Sequence, residues 1–99
     1  MKHNYSIHQL KCSNPKAFLH YNIVVSNLGG VDFNEYKQVY AGEIDSDNPN
    51  PEAVLEILFT KFNVNHPAGF KGHSLSVSDI VVLDGVKYYC DSFGWKTIE

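Results

Sequence analysis

The chain has 99 residues, 43% of them hydrophobic, with a formal net charge of −3. That length suits one domain spanning 1–99 that can bury a core without disulfides or metals, and the apolar content argues against disorder. All eight basic residues are Lys and they are scattered; Arg is the usual fork for phosphate and guanine edges, so nucleic-acid binding is disfavoured.

Residues 4–11 alternate in part, Tyr5, Ile7 and more weakly Gln9 against His8 and Leu10, and predict a first strand. Asn14-Pro15 breaks it. Residues 16–28 place Ala17, Phe18, Tyr21, Val24, Val25 and Leu28 at helical spacing, while the β-branched run within them would also suit a strand. The helix is favoured, because Gly29-Gly30 supplies the left-handed residue that helix ends use. Residues 35–44 read as a second strand, with Tyr36, Gln38 and Tyr40 on one face and Val39 and Ala41 on the other. Asn50-Pro51-Glu52 opens the strongest helix: Asn caps, Pro fits the first helical position, and Glu complements the dipole. Val54, Leu55, Leu58, Phe59 and Phe62, widened by Ile57, form its apolar stripe, and Asn63 to Pro67 ends it.

Asp84-Gly85 between two β-branched and aromatic runs signals a two-residue hairpin. Leu83 then pairs with Val86, Val81 with Tyr88, and Asp79 with Cys90. One face carries Val81, Leu83, Val86, Tyr88 and Cys90, a core face. The other carries Ile80, Val82, Lys87, Tyr89 and Asp91 and is expected to be partly wet. Ser92-Phe93-Gly94 turns into a last strand, Trp95 to Ile98. The order β-α-β-α-β-β-β predicts an α+β domain, a mainly antiparallel sheet of four to five strands with about two helices on one face.

The polar stretch before the hairpin, His73-Ser-Leu-Ser-Val-Ser-Asp79, poses a problem. Alternation carried forward aims Asp79 at the core beside Val81, and a buried unpaired carboxylate is expensive. Either the backbone turns or bulges at Ser78-Asp79, or local donors satisfy the carboxylate, as they readily do for Ser and Asp near backbone N–H groups. The functional reading of the same residues is a polar recognition site of His73, Ser74, Ser76, Ser78 and Asp79. A hydrolase or ligand-binding site using His73, Ser74 and Asp79 is the enzymatic alternative. Triad members usually come from separate elements, and no GxSxG elbow is present, so no catalytic residue is assigned.

The N-terminus lacks the apolar segment of a secretory signal, and no apolar run reaches transmembrane length. The expected location is the cytoplasm, with no membrane partner. Cys12 and Cys90 have no CxxC or zinc spacing and read as reduced, buried thiols in strands. His66, His73, Asp79 and Cys90 could converge on a metal, yet no pair has ligand spacing, and His66 before Pro67 reads as loop. Neither metal nor cofactor is expected.

Asn65-His-Pro67 with Phe70, the run Gly72 to Leu83, and Tyr89-Cys-Asp-Ser-Phe-Gly-Trp95 together resemble the YodL-like domain family. The likeness extends upstream to Tyr36 and Val39-Tyr-Ala-Gly42, with Trp95 where Phe and Cys90 where Val would be expected. The resemblance implies a domain of low-GC Gram-positive bacteria and their mobile elements, with no catalytic residues to carry over. It also implies antagonism of the actin-like cell-shape cytoskeleton through protein binding. The expected function is thus a small non-enzymatic module that modulates or inhibits a host or cell protein. Inhibition of a host defence system such as a CRISPR nuclease is the alternative. Contact is expected at His73–Asp79 or at a surface of Tyr89, Asp91, Phe93 and Trp95, and an exposed edge strand permits a homodimer.

Overall fold

The computed structural model describes residues 1–64, 70 and 72–98. The chain runs through β1 (Lys2–Gln9), α1 (Tyr21–Asn27), a 3-10 turn (Phe33–Glu35), β2 (Lys37–Asp45), α2 (Pro51–Val64), β3 (Ile80–Leu83), β4 (Val86–Cys90) and β5 (Trp95–Ile98). The strands form one antiparallel sheet in the order β2-β1-β3-β4-β5. This is the α+β architecture that the order of elements predicts.

The Asp84-Gly85 turn has φ of 50° and 83°, the two positive values a type I′ turn requires. It sets Leu83 opposite Val86 and Val81 opposite Tyr88. The turn is also tied to β1. The Asp84 carboxylate accepts from the Asn4 N–H at 3.0 Å and meets His3 Nδ1 at 2.6 Å, while the Asp84 N–H donates to the Asn4 carbonyl at 2.8 Å.

Helix α2 begins as the sequence dictates: the Glu52 N–H donates to Asn50 Oδ1 at 3.0 Å. Val54, Leu55, Leu58 and Phe62 are fully buried against Tyr5, Ile7, Val81, Leu83 and Cys90. Ile57 does not widen that stripe; it is 48% exposed, on the outer side of the helix. The Phe62 ring lies 6.0 Å from Tyr5, 5.4 Å from Tyr40 and 4.9 Å from Phe70. Gly42 makes room for this aromatic layer, since a Cβ there would fall 3.1 Å from Tyr5 Oη and 3.2 Å from the Tyr40 ring.

The other face of the hairpin is drier than alternation alone suggests. Ile80 and Tyr89 are completely buried. Tyr89 donates to the Leu19 carbonyl at 2.7 Å and packs its ring 5.4 Å from Tyr21 of α1. Tyr89 alternates with Cys90, which faces α2, so α1 covers the sheet face opposite α2 rather than sharing its side. Phe33 continues that cover, 4.7 Å from the His8 ring and 5.0 Å from Lys87 Nζ.

Three local readings change. The expected helix over 16–28 is shortened, because Phe18 adopts φ of 64° and Asn14 closes a turn by accepting from the Lys16 N–H. A register shift between Ile7 and His8 adds Val39 to β2 as a bulge, so Val39 and Tyr40 both pack on the core instead of opposite faces. Cys12 lies in the turn after β1 and is exposed, whereas Cys90 is a buried free thiol.

Leu58→Ala should cost about 2–5 kcal/mol in a urea melt, whereas Ile57→Ala should stay within roughly 0.5 kcal/mol. Equal losses at the two positions would contradict this packing.

Candidate functional site

Asp79 immediately precedes β3 and is 1% exposed. Both devices that alternation calls for are present. Ser78 takes φ of 83°, and Cys90 exchanges hydrogen bonds with two residues: its carbonyl accepts from the Ser78 N–H at 2.9 Å and its N–H donates to the Asp79 carbonyl at 2.8 Å. Two residues opposing one is the geometry of a bulge. Local donors then meet the carboxylate. Asp79 Oδ2 accepts from the Ser76 N–H at 2.8 Å and from Gln9 Nε2 at 3.0 Å, and Oδ1 lies 3.9 Å from His73 Nε2.

Gln9 is the connector. Its second amide hydrogen goes to the His73 carbonyl at 2.8 Å, so one side chain ties the end of β1 to both ends of the loop. His73 Nδ1 lies 2.7 Å from the Ser74 carbonyl and therefore carries the proton, which leaves Nε2 turned toward Asp79. Gly72 permits the close approach, since a Cβ there would fall 2.1 Å from Gln9 Oε1. Ser78 is clamped from two other elements: its Oγ accepts from the Phe18 N–H at 2.8 Å and its carbonyl accepts from Tyr36 Oη at 2.6 Å.

Burial pushes the Asp79 carboxyl up to about 7, against the lowering effects of the Ser76 N–H, His73 and Gln9. Burial likewise pushes the Cys90 thiol up to about 12, with the Asp79 charge adding to it. Tyr36 is held above the ordinary tyrosine range, mainly by burial.

The structure brings His73, Ser76, Ser78 and Asp79 together as a clamp facing inward. Ser74 is exposed beside them, and the Ser76 hydroxyl donates to the Ser74 carbonyl at 2.8 Å. Among the described residues no hydrogen bond joins a serine hydroxyl to the His73 ring, and no buried side-chain N or O lacks a partner. Nor do three or more His, Cys, Asp or Glu of those residues gather as a metal site would need. His66 lies outside the described residues.

The second expected surface separates into core and tip. Tyr89 is fully buried, and Trp95, 8% exposed, packs 6.4 Å from Phe59. Neither offers a contact face, because both complete the two layers beside the sheet. Asp91 caps locally, accepting from the Tyr21 N–H at 3.2 Å and the Ser92 N–H at 2.9 Å. Phe93 alone of the four stands clear, 94% exposed.

Sequence reasoning missed Gln9 and Tyr36 as partners of the clamp. A signal existed for Gln9, a polar residue at a core-facing position after Tyr5 and Ile7. None existed for Tyr36, whose contact spans 42 residues.

Asp79→Ala should destabilise by about 1–3 kcal/mol, since the Ser76 N–H and the Gln9 amide lose a buried acceptor. The sign with pH follows from the raised carboxyl. Its contribution to stability is complete below the unfolded value of 3.8 and is lost as pH rises through about 7. His8, held low mainly by burial, acts in the opposite sense, losing stability as pH falls. The difference between wild type and Asp79→Asn isolates Asp79: wild type should lose stability relative to the variant as pH rises across that window. Parallel curves would contradict the assignment.

A model of the YodL-like domain family matches residues 4–99. No curated protein and no solved structure matches the chain. Among the described residues no helix is long and apolar enough to cross a membrane.

Proposed function

We propose that this chain, which belongs to the YodL-like domain family, is a non-enzymatic binding module that docks on a cytoplasmic protein and modulates or inhibits it. The observation that carries this reading is Phe93. A phenyl ring left 94% exposed at the tip of a turn adds almost nothing to the core, and exposed aromatics are the residues that anchor interfaces.

The turn beneath Phe93 is held firmly. The Asp91 N–H donates to the Gly94 carbonyl at 3.0 Å, Gly94 takes φ of 76°, and the Asp91 carboxylate fixes both Ser92 and the start of α1. A rigid anchor loses little entropy on docking. Phe93 lines a cleft with His20, Asn22 and Lys96, and the turn that carries it, through Asp91, Ser92 and Gly94, borders a second cleft with Glu56, Phe59 and Trp95. A partner loop straddling Phe93 would reach both.

The actin-like cell-shape filament protein of a low-GC Gram-positive bacterium is the first partner to test, by co-sedimentation. Wild type should sediment with the filaments. Phe93→Ala should weaken binding roughly tenfold or more, about 1.4 kcal/mol, with an unchanged melting temperature. Trp95→Ala should instead lower the melting temperature, because it removes a core ring. Absence of co-sedimentation would reject that partner, and full binding by Phe93→Ala would reject this anchor.

A further inference from the structure

Beside the clamp, the ends of β1 and β2 and residues 72–73 enclose a cleft of about 290 Å3. Its walls carry Lys11, Lys37, Gln38 and Cys12, and Gln9 and His73 also line it. The β1–β2 register sets Gln9 opposite Lys37, with Lys11 two residues further on, so neighbouring strand ends place both lysines on the lining of one cleft.

The charge there runs against the rest of the molecule. The chain carries −3 overall, yet no carboxylate lines this cleft. Among the described residues neither Lys11 nor Lys37 forms an ion pair, whereas Lys16 is paired with Glu35 at 2.5 Å. Asp79, which Gln9 and His73 contact from the clamp, is 1% exposed and bonded to Gln9. The Gln9 amide nitrogen is fixed by the clamp, donating to the His73 carbonyl and to Asp79, so that wall is preorganised. His73 spends Nδ1 on the Ser74 carbonyl and turns Nε2 toward Asp79, so it contributes field rather than a bond.

We propose that this cleft binds a compact oxyanion, a carboxylate or phosphate group, held by the ammonium groups of Lys11 and Lys37 with the Gln38 amide beside them. The volume is at the small end of ligand sites, about 300 Å3 and upward, which suits a single anionic group and little attached carbon. Lysines act as point charges and place no bidentate demand on the anion. The group belongs either to a free small molecule or to an acidic side chain of a protein partner. This site does not depend on Phe93 being an anchor.

Cys12 reports occupancy. It is exposed on the cleft wall, while Cys90, the other thiol, is buried. Alkylation of Cys12 by neutral iodoacetamide would be followed by intact mass with inorganic phosphate, succinate or a glutamate-rich peptide added, each against sodium chloride at equal ionic strength. Saturable protection should appear with at least one probe. The half-protecting concentration should rise roughly tenfold in Lys11→Gln or Lys37→Gln, with the melting temperature unchanged. Protection by phosphate or succinate identifies a free anion; protection by the peptide alone identifies a partner's acidic segment. No protection beyond that of chloride, or protection unaltered in both variants, overturns the proposal.

Discussion

One carboxylate in the interior constrains the rest of this fold. Asp79 sits where strand alternation sends it, between a hairpin and a helix, and an uncompensated charge there would cost several kcal/mol. The chain meets that constraint with a positive-φ Ser78, a backbone donor from Ser76 and the amide of Gln9. Each of these groups ties down a further element. Gln9 holds β1 to the 73–79 loop, Tyr36 reaches Ser78 from ahead of β2, and Phe18 reaches it from ahead of α1. The loop is therefore ordered by polar bonds, and Leu75 is its main apolar anchor, fully buried with the α2 core.

The two apolar layers build on this. Helix α2 and its aromatic contacts fill one side of the sheet, with Phe62 among Tyr5, Tyr40 and Phe70. On the other side Tyr89, Tyr21, Ile80 and Val24 form a smaller layer closed by α1. Clamp and layers meet at Cys90, whose backbone bonds both Ser78 and Asp79 while its thiol joins the α2 core. Polar specificity and hydrophobic burial thus share one strand end, and a change in the clamp should be felt in the packing of both layers.

Much of this was legible in the chain. Asp-Gly at positive φ, the Asn-Pro-Glu opening of α2 and the period of its stripe are local signals, and local signals are what a sequence displays. The conflict at Asp79 was legible too, as a charge at a core-facing position. Its solution was not, because Gln9 and Tyr36 act across 70 and 42 residues. The dry second face escaped for the same reason: Tyr89 reads as an exposed strand residue until α1 is known to lie over it. Ile57 and Trp95 erred in opposite directions. A stripe cannot show where a helix meets its sheet edge, and a Trp beside an exposed Phe reads like its neighbour although the turn sends the two rings to opposite fates.

The division of labour that results is between polar groups turned inward to hold a loop and two features left facing solvent, the Phe93 ring and the paired lysines. The central claim is that the His73–Asp79 cluster is a buried clamp. The most direct measurement is a carbon-13 NMR titration of the Asp79 side-chain carboxyl with the Ser76 amide proton followed in the same samples. A midpoint near 7, with the Ser76 amide moving in step, is the predicted result. A midpoint near the unperturbed value of 3.8, or a Ser76 amide indifferent to it, would contradict the account.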